Sequence, residues 1–296
     1  MQPLSAGDHV AVRFFMPSPA LAPYISTYYL TEVNRPDGGT IEDDLHPEWG
    51  NVRFSRNDTW QASVGAEPLR TAPRLIVSGP SSRSSHFVTG TSRIWGVGIL
   101  PLGWARFFDL PASELADQFC SADDHPALAG FRPIIDHTFG GPADPAAEAA
   151  RIDSFMLGLL RASAPHSEEA RIRSAHAALV DPAINAVSDL AERIGTSSRS
   201  LERLSLRAFG FSPKLLLRRQ RFLRSLAQFM LDPSLKWIAT LDWQYVDQAH
   251  FVRDFKRFMA MSPTAYAALE HPVLRAAAQA RLAAAGAAVQ ALHQPA

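Results

Sequence analysis

The chain has 296 residues, of which 47% are hydrophobic, and this is enough material for two domains with separate cores. Its single cysteine, Cys120, excludes an internal disulfide and a CxxC-type zinc site, and is typical of a reducing compartment. The sequence shows no signal-peptide core and no apolar run of the roughly 18 residues that a membrane span needs, so it predicts a cytoplasmic protein without a membrane partner.

The formal net charge of zero hides an asymmetry between the two parts of the chain. From Glu168 onward, 17 Lys and Arg stand against 11 Asp and Glu, whereas the preceding residues hold 12 basic and 18 acidic side chains. A basic C-terminal module joined to an acidic N-terminal one favours an anionic partner for the basic module.

Up to about residue 120, the sequence alternates between turn signals and short β-rich runs. The turn signals are PDGG (36–39), EWGN (48–51) and SGPSSRSS (78–85). The β-rich runs are ISTYYL (25–30), RLIVSG (74–79) and RIWGVGIL (93–100). This spacing predicts a small β-barrel or sandwich, followed by a helical stretch over residues 102–119.

An amphipathic helix is predicted over residues 145–162, with an apolar stripe that includes Ile152 and Met156. Two interpretations stay open: the stripe packs against the β-rich part, or it forms a dimer contact. The sequence APHSEE (164–169) marks the next boundary. No role is assigned to the Ala-rich segment after His271, which could be a frayed helix or disordered.

Residues 187–213, VSDLAERIGTSSRSLERLSLRAFGFSP, have the layout of a helix-turn-helix. Leu190 and Ala191 supply a buried stripe, Gly195 suits the left-handed residue of the turn, and Ser197 is a good N-cap for the second helix. The outer face of that second helix then carries Ser198, Arg199, Glu202 and Arg203 near its N-terminal end, the part that a recognition helix presents to base edges.

The same layout recurs 50 positions later in WQYVDQAHFVRDFKRF (243–258). Asp247 takes the place of Ser197 as N-cap, and Phe251 takes the place of Leu201 on the buried face. Gln248, His250 and Arg253 point outward and can hydrogen-bond to base edges, Gln to adenine and Arg to guanine.

A basic helix, residues 213–231, joins the two units and is long enough to hold them about one DNA turn apart. From Ser198 to Ser225 there is one acid, Glu202, and there are eight basic residues, which supply salt-sensitive attraction to phosphates: Arg199, Arg203, Arg207, Lys214, Arg218, Arg219, Arg221 and Arg224. The predicted phosphate contacts are Ser198, Arg207, Lys214, Arg218, Lys256 and Arg257.

Residues 168–269 resemble the DNA-binding domain of the AraC/XylS transcription regulators. The resemblance lies in LAERIG, SLERL, FGFSPKLLLRRQRFLRSLAQFML and YVDQAHFVRDFKRFMAMSP. The N-terminal part is similar to the cupin-like sensor domain of one branch, through PEWG–NVRF (47–54), IVSGPSSRS (76–84) and GVGILPLGWARFFDLPASELADQ (96–118).

This resemblance implies a seven-helix reader with two recognition helices in successive major grooves. The implied base contacts are Arg199, Glu202, Arg203, Gln248, Ala249, His250 and Arg253. One departure is that Gln244 stands where the second unit normally carries a turn glycine, and a left-handed non-glycine residue costs about 1 kcal/mol. This departure puts the angle of the second recognition helix in doubt.

The sequence therefore predicts an α+β protein: an N-terminal β-barrel-like (cupin-like) domain followed by an all-α DNA-binding domain with two helix-turn-helix units. The predicted limits are 1–125 for the sensor, 126–166 for a helical linker, 167–270 for the DNA-binding domain and 271–296 for the tail. Trp49, Arg53, Trp60 and Trp95 are candidate effector-pocket residues, although core or rim positions explain them as well.

The predicted function is that of a sequence-specific DNA-binding transcription regulator, controlled by a small effector or by dimerisation. Double-stranded DNA is the main partner, with a homodimer and, for an activator, RNA polymerase as further candidates. The alternatives are a non-specific architectural DNA-binding protein and a cupin-type enzyme. The enzyme is disfavoured because the N-terminal histidines show no metal-ligand spacing. These histidines are His9, His46, His86, His125 and His137. No metal, cofactor or catalytic residue is therefore predicted.

Overall fold

The computed structural model describes residues 9–56, 60–232, 234 and 236–295, and for residue 238 it describes the backbone alone. Within these ranges the N-terminal part consists mainly of strands and the C-terminal part of helices. The predicted fold class, a β-rich domain followed by a helical one, is confirmed.

The strands of the described residues form two antiparallel sheets. They are β1 (His9–Phe15), β2 (Ile25–Asn34), β3 (Ile41–Leu45), β4 (Gly50–Ser55), β5 (Trp60–Val64), β6 (Arg70–Thr71), β7 (Leu75–Ser78), β8 (Ser85–Thr89), β9 (Ser92–Ile99) and β10 (Phe119–Ser121). One sheet has the order β1-β2-β9-β4-β7-β10 and the other β3-β8-β5-β6. A small apolar core that includes Val12, Phe87 and Ile94 joins the two sheets, which do not close into a continuous barrel.

A glycine in β9 shapes the space between the sheets. A Cβ on Gly96 would lie 2.0 Å from Cζ of Tyr29, so only glycine lets the tyrosine ring cross this strand. The Tyr29 hydroxyl donates a hydrogen bond to Oδ1 of Asn51 at 3.0 Å, and both side chains line an inter-sheet cavity.

Three helices cover the outer face of the larger sheet: α1 (Pro101–Phe107), α2 (Ile134–Phe139) and α3 (Pro145–Ala162). Ile152 and Met156 of α3 are fully buried in the core of this face, so the buried part of the predicted stripe packs on its own chain. The helix predicted over 102–119 is shorter than expected: α1 ends at Phe107, because Pro111 disfavours helix before it, and Ala112–Glu114 form a 3₁₀ turn.

The remaining helices follow in chain order. They are α4 (Glu169–Val180), α5 (Val187–Ile194), α6 (Ser198–Phe209), α7 (Pro213–Leu231), α8 (Trp237–Thr240), α9 (Gln248–Met259), α10 (Pro263–Ala267) and α11 (Pro272–Ala285). A short 3₁₀ turn, Gln290–Leu292, comes after α11.

The apolar core of the helical part continues into the β-rich part through Trp49 and Leu102. Arg219 of α7 lies at this junction, with its guanidinium 4.0 Å from the Trp49 ring centroid, and donates to the carbonyl oxygen of Ser81 at 2.8 Å. The placement of Arg219 in a solvent-facing basic cluster is therefore wrong, because α7 is covered by the β-rich part on the side where this residue lies.

The Ala-rich segment folds back onto the β-rich part. Helix α11 packs mainly along β1, and Val273 is buried in the core between the sheets. The Asp43 carboxylate of β3 accepts hydrogen bonds from the backbone N–H groups of Val273 (3.0 Å) and Leu274 (2.9 Å), and so caps the N-terminus of α11.

Candidate nucleic-acid interface

The first helix-turn-helix unit consists of α5, a tight turn and α6. Gly195 ends α5 in the left-handed conformation, with φ 67° and ψ 44°. The Ser197 hydroxyl then accepts a hydrogen bond from the backbone N–H of Ser200 at 3.3 Å, which caps α6. Leu190 and Leu201 are completely buried, so the predicted turn, cap and buried face are confirmed in this unit.

The polar side chains predicted to face outward on α6 do so. Ser198, Arg199, Glu202 and Arg203 are all exposed, and Arg207 and Lys214 are exposed further along. The N-terminal end of α6 thus presents two cations and one carboxylate to solvent, which are the groups that read guanine and cytosine edges in a major groove.

The second unit presents α9 in the same way. The Asp247 carboxylate accepts from the backbone N–H of His250 at 2.6 Å, which confirms Asp247 as the N-cap. Phe251, Phe255 and Phe258 are completely buried. The exposed face carries Gln248, Ala249, Arg253, Lys256 and Arg257.

The turn before α9 differs from the prediction. Among the described residues, the non-glycine residues with positive φ are Asp117 and Ala260, so Gln244 is not left-handed and does not carry the expected strain. Its backbone N–H donates to Asp242 at 3.0 Å, and its side-chain amide donates to the carbonyl oxygen of Pro182 at 2.6 Å. Hydrogen bonds of Gln244 to Asp242, to Pro182 between α4 and α5, and to Arg224 of α7 thus hold this turn without a glycine.

A buried carboxylate, Asp254, lies on the inner face of α9 and was not identified from the sequence. It pairs with Arg218 and with Arg221 (3.2 Å), and accepts from the Tyr245 hydroxyl at 3.0 Å. Burial, followed by the charge of Asp254, raises the pKa of Tyr245 well above its ordinary value. The signal available in the sequence was that Asp254 stands 50 residues after Leu204, at a position that is buried in the first unit.

His250 is held by the same network. Its Nε2 lies 3.0 Å from Nη2 of Arg221, and its side chain is 28% exposed. Because a guanidinium only donates, Nε2 must accept, which leaves the ring proton on Nδ1. His250 thus offers a hydrogen-bond donor from a partly covered position.

The basic residues of α7 are less free than their sequence suggests. Arg218 and Arg221 pair with Asp254, Arg224 pairs with Asp242 (2.5 Å), and Arg219 is buried at the junction. Apart from Arg193 of α5 and Lys236 before α8, the exposed cations of the two units in the described residues lie on α6, on α9 and at the start of α7.

A cavity of about 130 Å³ lies between the two sheets, and Arg53 and Trp60 line it, as predicted for an effector pocket. Trp49 and Trp95 do not reach it, which corrects their placement. Trp95 of β9 opposes Leu30 of β2 and Phe54 of β4, whereas the next residue, Gly96, opposes Arg53. Because successive residues of a strand face opposite sides of the sheet, Trp95 lies on the side away from the cavity that Arg53 lines. Trp49 lies in the junction core instead.

Among the described residues, no three His, Cys, Asp or Glu side chains are grouped so that they could hold a metal ion. None of the described helices combines the length and the hydropathy that crossing a membrane requires.

Both parts of the chain match a known domain family. Residues 190–268 match the profile of a helix-turn-helix domain, and residues 13–121 match a domain of unknown function (DUF6597). A comparison with curated proteins finds no match.

Solved structures similar to this chain include ToxT and CuxR. Apo ToxT from Vibrio cholerae strain SCE256 is 11% identical, with 90% of this chain and 98% of that chain covered and a TM-score of 0.41. Wild-type ToxT bound to an unsaturated fatty acid is 11% identical, covers 90% and 97%, and has a TM-score of 0.42. The AraC-like transcriptional activator CuxR is 12% identical, covers 73% and 87%, and has a TM-score of 0.29.

The helix-turn-helix match includes the last five residues of α5 and the whole of α6 to α10, and the two capped recognition helices lie within it. Residues 190–268 thus form an AraC-type helix-turn-helix domain, and the chain is a DNA-binding transcription regulator.

Proposed function

We propose that α6 and α9 read the base sequence of double-stranded DNA in successive major grooves. The observation that carries this proposal is one exposed pattern that occurs twice, 50 residues apart. Arg203 and Arg253 occupy equivalent places on two N-capped helices whose opposite faces are completely buried at Leu201 and Phe251. A merely solvated helix face would not need the same reading group at the same place in both units.

The exposed side chains suit particular base edges. Arg199, Arg203 and Arg253 fit guanine, and Gln248 fits adenine, each in a two-pronged geometry. Glu202 can accept from the cytosine amino group, and the Ala249 methyl group can contact thymine. His250 contributes an Nδ1 donor.

Phosphate contacts are proposed for the exposed polar groups that flank these positions. They are Ser198, Arg207, Lys214, Lys256 and Arg257. Arg218, also predicted as a phosphate contact, is paired with the buried Asp254, so we assign it mainly to holding α9 against α7.

The test is selection of bound duplexes from a random DNA library with the full chain. A regulator should enrich one motif that it binds about 10³-fold or more above random DNA at one fixed salt concentration. Arg253→Ala and Arg203→Ala should each relax one position of that motif, whereas Arg275→Ala, on the exposed side of α11, should not. No enrichment, with equal affinity for all duplexes, would instead identify an architectural DNA-binding protein.

A small effector that binds in the N-terminal domain is the second part of the proposal. The cavity between the sheets supports it, because polar groups such as Arg53 and Asn51 converge there on a largely apolar wall. A thermal-shift screen of metabolites against the full chain tests it. A ligand should raise Tm in proportion to log concentration, and a screen without any hit counts against effector control.

The remaining parts of the proposal concern partners and location. We propose a homodimer, contact with RNA polymerase if the protein activates transcription, a cytoplasmic location and no catalytic reaction. The half-buried residues Phe155 and Leu159 on α3 are the surface offered for dimerisation. Light scattering of the full chain, with Phe155→Asp as the disrupting variant, tests the dimer.

A further inference from the structure

The C-terminal segment 271–295 forms one wall of the cavity between the sheets. Val273, Leu274, Ala277 and Arg281 of α11 line the cavity, as do the residues that follow the helix at 288–290. The Gln290 side chain reaches the opposite wall, where its amide donates to the carbonyl oxygen of Gly50 and its Oε1 accepts from Asn51, both at 3.2 Å. The cavity is thus built jointly by the β-rich domain and by residues that follow the helix-turn-helix domain.

The charged groups of the cavity do not balance. Among the described residues that line it, Arg53 and Glu48 form an ion pair at 2.5 Å, and Arg281 is the remaining charged side chain. His46 also lines the cavity, but burial lowers its pKa to about 3, so it is uncharged near neutral pH. The formal charge around the cavity is therefore +1, and it resides on Arg281.

Arg281 also has unused hydrogen-bonding capacity. It is 4% exposed, and its Nη1 donates to the carbonyl oxygen of Ala287 at 2.8 Å, while its Nη2 is buried without a partner. Burial lowers the pKa of Arg281 to about 10, which still leaves it charged at neutral pH. A buried cation with an unused donor is costly, and an anion that reaches it would offset this cost.

The size and walls of the cavity restrict the anion. Its volume of about 130 Å³ is close to that of an engineered apolar cavity of about 150 Å³ that holds benzene. Phe14, Trp60, Phe87 and Ile94 give it apolar sides. The ligand should therefore have an apolar body of roughly benzene size and a single anionic group.

We propose that this cavity binds a small carboxylic acid with an apolar body, and that Arg281 of the C-terminal helix holds the carboxylate. The inference rests on the proposed effector control and names the ligand class and the group that recognises it. Guanidinium suits a carboxylate because it can donate two parallel hydrogen bonds.

This arrangement also gives the ligand a route to the DNA-binding part. The carbonyl oxygen of Ala291 accepts from the side-chain amide of Gln220 in α7 at 2.7 Å, and both groups are buried. His271, just before α11, forms hydrogen bonds with the Asp43 side chain of β3 (2.9 Å) and with the carbonyl oxygen of Tyr266 (3.0 Å). Tyr266 lies in α10, the helix that follows α9. A ligand that reorders the C-terminal segment thereby acts on α7 and α10 directly.

The experiment is calorimetric titration of the full chain with sodium benzoate and, as its neutral analogue of the same shape, benzamide. The wild-type chain should bind benzoate at least tenfold more tightly than benzamide. Arg281→Met, which keeps the aliphatic volume and removes the charge, should abolish that preference. Arg281→Lys, which keeps the charge, should retain part of it, and Arg275→Met on the exposed side of the same helix should leave it unchanged.

Circular dichroism of each variant guards against loss of folding, and Arg281→Lys keeps the test decisive if the methionine variant fails to fold. Equal affinity for benzoate and benzamide, no binding of benzoate, or a preference that survives in folded Arg281→Met would each overturn the proposal. No DNA is present, so the result is separate from the test of sequence reading. A different ligand found by the metabolite screen would leave effector control intact while removing the carboxylate site.

Discussion

In the first helix-turn-helix unit the recognition helix rests on leucines, whereas in the second it rests on aromatic rings. Leu201 and Leu204 fill the inner face of α6. In α9 the ring of Phe255 lies 5.0 Å from that of Trp237 and 5.4 Å from that of Phe222. The helix that precedes each recognition helix differs accordingly: α5 has 8 residues and α8 has 4. Large rings compensate for the short helix, because each buries more apolar area than a leucine.

The second difference is electrostatic. Asp254 occupies in α9 the position that Leu204 occupies in α6, and it binds arginines of α7. Ion pairs to the connecting helix thus hold α9 in addition to its aromatic packing, whereas the equivalent position of α6 contributes apolar packing. Arg218 and Arg221, which look like DNA contacts in the sequence, consequently have a structural role in the second unit.

Phe255→Ala should have the largest effect on stability, about 3–5 kcal/mol, because it leaves a cavity among four rings. Urea unfolding of the full chain measures it. Ser205→Ala, the equivalent buried position of the first unit, is the matched control and should cost far less. Equal losses in the two variants would show that the second unit does not depend on its aromatic core.

Asp254→Asn should cost about 2–3 kcal/mol, since it leaves two arginines without their carboxylate, although both keep some access to water. The comparison variant is Glu202→Gln on the exposed face of α6, which should change stability by less than about 0.5 kcal/mol. An Asp254→Asn protein that unfolds at the same urea concentration as its parent would remove the electrostatic difference between the units.

Arg203→Ala and Arg253→Ala should each weaken binding to the selected DNA site by about 1–3 kcal/mol and relax one base-pair position. The two relaxed positions should lie in different half-sites, if the units read separate grooves.

Lys214→Ala should instead weaken binding to every duplex and lower the salt dependence. Arg218→Ala should lower the free energy of unfolding about as much as Asp254→Asn does. If Arg218→Ala instead changes only the salt-dependent part of DNA binding, Arg218 is a phosphate contact.

Local signals predicted much of this architecture. Ser197 and Asp247 were identified as caps because each is a short polar residue before an amphipathic run, and both make the expected hydrogen bond. The outward positions followed from helical periodicity, and their exposure agrees with it except at His250, which is partly covered beside Arg221. The β-rich character of the first 120 residues followed from turn residues between short apolar runs.

Long-range contacts explain what the sequence could not predict. Arg219 lies in a basic stretch that is typical of a DNA-facing helix, yet it is buried against Trp49, which stands 170 positions earlier in the chain. Gln244 avoids the left-handed conformation through bonds to Asp242 and Pro182 that no local pattern specifies. The Ala-rich residues after His271 look featureless because the partners of α11 are strands from the other end of the chain.

Acidic pH should weaken the attachment of both units to the β-rich domain. Burial lowers the pKa of His176, beside Phe209, and of His46, bonded to Tyr266, to about 3 each. The unfolded chain therefore binds more protons below the ordinary histidine pKa of about 6.5, and the free energy of unfolding falls as pH falls below that value. At pH 6 the loss should be about 1 kcal/mol for each histidine relative to pH 8.

Urea unfolding of the full chain at the two pH values measures this loss. His176→Leu should remove its share, because leucine binds no proton in either the folded or the unfolded chain. His9→Gln, at an exposed position, is the control. A pH dependence that is the same in His176→Leu and in the wild-type chain would show that this histidine is not buried in its neutral form.

Ala260→Gly should give the smallest effect and the opposite sign. Ala260 ends α9 with φ 58°, and its equivalent in the first unit is Gly210, with φ 82°. Relief of left-handed strain is worth about 1 kcal/mol, while the added freedom of the unfolded chain removes about 0.5 kcal/mol, so the net stabilisation should be about 0.5 kcal/mol. Gly210→Ala should destabilise by more than that strain, because its Cβ would also lie 3.2 Å from Cγ of Pro80. Paired thermal unfolding of the two variants measures both changes, and a lower Tm for Ala260→Gly would mean that the two units do not end their recognition helices in the same way.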